Sequence, residues 1–169
     1  MDIRQALLAE HSKAQCSKIV NYIGSDKRKF KELMKAFFSG EYRITQRAAW
    51  PLSYCVSNYP QLVTPYLDQL LATLENPDVH NAVVRNIIRL LQDIKIPKRY
   101  HGKIMTICFD FISSETIQVA IKAFSLTVLN NLAKDYPEIR PELKLIIEER
   151  WDNESPAFKS RARKILDRL

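Results

Sequence analysis

Glycine is nearly missing from this chain, which has three in 169 residues. A sheet protein of that length needs glycine at turns and bulges, so the scarcity excludes most β architectures and favours helices. It also excludes a glycine-rich phosphate loop, and no serine stands in a Gly-x-Ser-x-Gly turn. Cysteine is equally scarce. Cys16, Cys55 and Cys108 are odd in number, far apart and set among helix-forming residues, which argues against a disulfide framework and fits a reducing compartment. His11, His80 and His101 are isolated, with neither His-Glu-x-x-His nor paired cysteines, so no metal, no other cofactor and no catalytic set is expected. No apolar run approaches the ~18 residues of a membrane span, and the opening residues lack the apolar core of a signal peptide. A cytoplasmic protein without a membrane partner is expected. Oligomeric state is left open.

Acidic residues are outnumbered. The 26 lysines and arginines against 19 aspartates and glutamates give a net charge of +7 and a pI of about 9.4, enough to bring acidic partners into view. The excess is clustered. Residues 1–47 carry ten bases against five acids, 85–103 six against one, and 159–169 five against one. The segments between are net acidic.

What the chain has in plenty is apolar residues at helical spacing. Asp2 can cap a first helix running to about Tyr22. From Asp26 to Phe38, Phe30, Leu33, Met34, Phe37 and Phe38 form an inward stripe, with Lys27, Arg28, Lys29, Lys31 and Lys35 outside. Ile44 to Asn58 forms another helix, with a kink or a restart near Trp50 expected because Pro51 falls inside it. Tyr59-Pro60 or Thr64-Pro65 opens the helix that carries Leu67, Leu70, Leu71 and Leu74. The Asn76-Pro77-Asp78 turn then leads a helix that stops before Pro97. Pro97 to Ile112, Glu115 to about Ala133, Tyr136 to Trp151, and Pro156 to the chain end complete the set. The Glu115 helix is the most apolar, so it should lie in the middle of its stack.

These segments repeat with a period of ~38 residues. Tyr59-Pro60 is echoed by Tyr136-Pro137, and the acid–base pairs Glu41 and Arg47, Asp78 and Arg85, Glu115 and Lys122, Glu154 and Arg161 hold equivalent places. A helix pair of this length cannot bury its apolar face alone, so neighbouring pairs must stack. The period, the turn acids, the Val84-Arg85 and Ile121-Lys122 openings and the prolines Pro60, Pro97 and Pro137 resemble HEAT repeats over about residues 26–169. That resemblance implies an all-α, right-handed solenoid of about four helix pairs plus a leading cap helix, in one domain of residues 1–169. The cap is 1–25, and the pairs are 26–59, 60–96, 97–136 and 137–169. It also implies that the acid–base pairs form a ladder between successive turns, with Asp78 and Arg85 the best-matched pair.

In HEAT-like stacks the second helices line the concave side. Here they would bring Arg43, Arg47, Trp50, Tyr54, Asn81, Arg85, Arg89, Gln118, Lys122 and Arg161 to one face. The expected function is a non-enzymatic interaction module that receives a protein partner there. The alternative is nucleic-acid binding. Trp50 and Tyr54, one turn apart beside Arg47, resemble the base-handling surface of DNA alkylation-repair glycosylases built of HEAT-like repeats. Those enzymes set a carboxylate near their tryptophans. This chain has no acid between Trp50 and Tyr54, and Asp93 is the nearest substitute by sequence, so binding without catalysis is what the resemblance implies.

Overall fold

The computed structural model describes residues 1–167, among which there are ten α-helices and no strand. They are α1 (Ile3–Ala9), α2 (Lys13–Ile23), α3 (Lys27–Phe37), α4 (Tyr42–Asn58), α5 (Leu67–Leu74), α6 (Asn81–Leu91), α7 (His101–Ser113), α8 (Val119–Leu132), α9 (Arg140–Arg150) and α10 (Pro156–Leu166). The chain divides into two compact units, the first Met1–Lys95 and the second beginning at Ile96. The expected final helix is α10; the part of it assigned to residues 168 and 169 lies outside the described residues.

The single leading helix expected from Asp2 to Tyr22 is instead two. Asp2 does cap α1, accepting from the Gln5 N–H at 3.0 Å. Glu10 then turns extended (φ −152°, ψ 147°), and Ser12 accepts from the Gln15 N–H at 3.1 Å to start α2. The Gln15 amide donates in turn to the Ala6 carbonyl at 2.7 Å, pinning the end of α1. Serine followed three residues later by glutamine is a capping-box spacing. Ser12→Ala should therefore cost about 1 kcal/mol, read as a lower midpoint in urea denaturation.

The restart near Trp50, one of the two expectations at Pro51, does not occur. Helix α4 runs unbroken through Pro51, although proline has no N–H for the Arg47 carbonyl. Burial on several sides holds the helix in place of that bond. Ile44, Ala48, Ala49, Leu52, Cys55 and Val56 are all nearly inaccessible, and α1, α2, α3 and α6 all pack on α4. The two alanines leave room for close approach. Each fully buried Leu or Ile contributes roughly 1.5–3 kcal/mol, so α4 is the centre of the first unit.

Other starts differ from expectation in kind. Two short 3-10 turns, Pro60–Leu62 and Thr64–Tyr66, precede α5, and the Thr64 side chain makes no cap. The helix after the Asn76 turn begins only at Asn81, capped by His80, whose Nδ1 accepts from the Ala82 N–H at 3.0 Å. It ends at Leu91, well before Pro97. The helix expected from Glu115 starts at Val119.

In the second unit α8 packs on α7 and α10, and α7 on α9. Second helix therefore lies on second helix and first on first, which is how stacked helix pairs bury one another. Buried His101 joins the two first helices: Nε2 meets the Ile96 carbonyl at 2.7 Å and Nδ1 the Tyr136 hydroxyl at 3.0 Å. The apolar reading of α8 holds, since it buries Ile121, Leu126, Val128, Leu129 and Leu132.

Candidate functional site

Spacings of three and four residues set Arg43, Arg47, Trp50 and Tyr54 along one face of α4, and Asn81, Arg85 and Arg89 along one face of α6. The two helices pack together. Their register is fixed by a buried polar link: the Ser53 hydroxyl donates to Asn86 Oδ1 at 3.2 Å, while the Asn86 amide donates to the Ala82 carbonyl at 2.8 Å. This register brings the Arg89 guanidinium over the Tyr54 ring, 4.6 Å from its centroid. A hydrogen bond from Arg89, followed by its charge and a contribution from Trp50, holds the Tyr54 phenol below its usual range. Arg89→Ala should accordingly raise the Tyr54 pKa, which a titration of ring-labelled tyrosine by NMR would read. An unchanged value would mean that the stack does not persist in solution.

Beside this pair, α2 and α4 leave a cleft of about 180 Å³ lined by Lys13, Cys16, Val20, Trp50, Tyr54 and Asn58. Trp50 is half-buried, meeting the His11 ring edge-to-face at 5.5 Å. It thus walls the cleft without being sealed in the core. Burial pushes the Cys16 thiol up to about 11, against the pull of Arg89, so it stays protonated and unreactive near neutral pH. Cys55 and Cys108 are pushed by burial to about 12.

The remaining site residues fall into two groups. Arg43, Asn81 and Arg85 are exposed. Arg47 is occupied: its Nη1 donates to the Leu7 and Leu8 carbonyls, 2.9 Å each, and so caps the C-terminal end of α1. In the second unit Gln118 is exposed just ahead of α8. Arg161 donates to Thr127 Oγ1 at 2.6 Å.

Lys122 is buried, and its Nζ lies 2.6 Å from Glu154 Oε1. It is therefore not presented to any partner. Arg150 Nε reaches the same oxygen at 2.8 Å. Burial alone would push the Glu154 carboxyl up, but the hydrogen bonds and charges of Lys122 and Arg150 outweigh it and hold the group below the usual carboxylate value. Here one rung of the expected kind exists, with the acid of one turn taking the base of the preceding pair. The other expected rungs need correction. Glu41 pairs with Arg4 rather than Arg47, and no bond joins exposed Asp78 and Arg85 among the described residues. Asp93 lies past the end of α6, exposed.

Sequence reasoning missed Ser12, His80, the Ser53–Asn86 link and the His101–Tyr136 pair. Only Ser12 left a signal, its spacing to Gln15. The others depend on side chains that meet after folding.

Helix pairs stacked second-on-second define an α-helical repeat protein, among whose described residues no helix is long and apolar enough to cross a membrane. The family model for the HEAT repeat domain matches residues 3–169, so the chain belongs to the HEAT-repeat family. No curated protein and no solved structure matches it.

Proposed function

We propose that the chain is a non-enzymatic interaction module that receives a protein partner on the face shared by α2, α4 and α6. The observation that carries this reading is the Tyr54 ring held beneath Arg89 at the edge of the α2–α4 cleft. A fixed aromatic beside an arginine, rimming a partly apolar recess, is the kind of group that dominates protein interfaces. A non-catalytic role is supported by how the reactive groups are used. Glu154 and His101 are committed to structural partners, and all three thiols are held protonated by burial.

A protein partner is favoured over a nucleic acid by the fate of the cations. Of Arg47, Arg85, Arg89, Lys122 and Arg161, the residues that would hold phosphates, Arg47, Lys122 and Arg161 are already hydrogen-bonded within the protein. A phosphate backbone gains affinity with each cation that it meets, and on the first unit Arg85 is exposed while Arg89 is stacked over Tyr54. Fluorescence anisotropy with a labelled DNA duplex at several salt concentrations tests this. The protein reading predicts that Arg89→Ala and Lys29→Ala bind the duplex alike, if they bind it at all. Tight low-salt binding whose salt slope falls by about one unit in Arg89→Ala alone would replace it with the nucleic-acid reading.

A further inference from the structure

A second concavity of the first unit shares no residue with the cleft beside Tyr54. It is a groove of about 680 Å³ between α1 and α3, with Tyr22 of α2 at its end. Its wall on α3 is cationic: Arg28, Lys29 and Lys35 line it, on a helix that carries five bases and one acid. These cations differ in how firmly they are held. Lys29 is fixed, donating to the Tyr22 carbonyl at 2.9 Å with its Nζ 4.2 Å from the Tyr22 ring centroid. Lys35 pairs with Glu32 across one turn at 2.9 Å, with both side chains more than half exposed, and such a pair exchanges readily for a better partner. Among the described residues no ion pair holds the Arg28 side chain, which lines the groove and whose charge also acts on Asp26.

The floor is different in kind. Met1, exposed, supplies apolar surface beside the largely buried Ile3 and Ala36, while Asp2 and Glu32 place carboxylates within the lining. A continuous phosphate backbone would cross both carboxylates, and like charges facing each other across an interface cost several kcal/mol. A chain that alternates carboxylates with apolar side chains meets no such conflict. Its acids reach Arg28 and Lys35, and an apolar side chain lies on Met1 and the open edges of Ile3 and Ala36. We propose that the α1–α3 groove is a second docking site, specific for an acidic peptide segment with interspersed apolar residues, supplied by a protein partner. Charge complementarity selects this occupant, and the site stands independently of the Tyr54–Arg89 face.

The test uses the whole chain and a short fluorescein-labelled peptide of glutamates interrupted by leucines, followed by anisotropy at moderate salt. Saturable binding is expected, weakened at least about tenfold when Arg28→Glu and Lys35→Glu are combined, and unchanged by Arg89→Ala. The neutral pair Arg28→Gln with Lys35→Gln should weaken it less, which keeps the result readable if the charge reversal disturbs α3. No binding overturns the proposal. Binding lost in Arg89→Ala but kept in the groove variants also overturns it, while supporting the other face. A labelled duplex that competes for the peptide in a manner dependent on Arg28 would assign the groove to nucleic acid instead.

Discussion

Glu154→Ala should lower the stability of the second unit by about 3–5 kcal/mol, the cost of removing one partner of a buried ion pair. Both the Lys122 and the Glu154 side chains are only 4% exposed. The loss of Glu154 is the worse of the two possible deletions, because it strands two cations. Lys122→Met leaves Glu154 with Arg150 at 2.8 Å and should cost less. The sign of the pH dependence follows from the depressed carboxyl. A group whose folded pKa lies below its unfolded value stabilises above the unfolded value, near 4.5 for this carboxyl, and loses that contribution as pH falls through the folded value. Acidification below about 4.5 should thus destabilise the second unit, and Glu154→Gln should flatten the dependence in that window. The chain has two tryptophans, Trp50 in the first unit and Trp151 in the second. Urea melts of a Trp50→Phe background, followed through Trp151, would read the effect where it arises.

Phe30→Ala should weaken the first unit by a similar amount, about 3–5 kcal/mol. Phe30 is 1% exposed, and its ring meets Tyr66 edge-to-face at 5.8 Å. Tyr66 sits in the turn that leads into α5, so the ring ties the first helix pair to the start of the second. Its deletion leaves a void where two repeats meet, which neither repeat can close by relaxing alone. Phe30→Leu should recover much of the loss, since a branched aliphatic refills most of the space. The measurement is the mirror of the first, through Trp50 in a Trp151→Phe background. A loss below about 1 kcal/mol would mean that the two pairs are joined elsewhere.

Much of the fold was legible because its signals are local. The stripe of Phe30, Leu33, Met34 and Phe37 and the start at Asp26, whose carboxylate accepts from the Arg28 and Lys29 N–H groups, reside in one short window, and α3 followed from them. The pairing followed from the period of ~38 residues. The break at Glu10 was missed because the apolar spacing from Leu7 through Ile19 reads through it, and only the Ser12–Gln15 cap tells otherwise. At Pro51 only the alternative of a helix restart fails, because packing around Ala48, Ala49 and Leu52 outweighs one lost backbone bond and α4 continues.

The site was legible as a set of residue types and not as a set of roles. Trp50, Tyr54 and Arg89 could be placed on helix faces by spacing alone, and Tyr54 and Arg89 do meet. Nothing in the spacing distinguishes Arg47, spent on the end of α1, from Arg43, which is exposed. Nor could it show that Lys122 is buried while its counterpart Arg85 is exposed. Those differences are set by which carbonyl or carboxylate lies across a helix contact, and the chain brings them together only on folding.

The central claim is that the α2–α4–α6 face, anchored by Tyr54 and Arg89, holds a protein. Site-specific photocrosslinking in living cells tests it most directly, with the reactive side chain placed at Asn58 on the cleft or at Lys144, exposed on α9. The account predicts one defined protein adduct from Asn58, lost when Arg89→Ala is added and missing from Lys144. Adducts to nucleic acid from Asn58, or the same protein adduct from both positions regardless of Arg89, would contradict it.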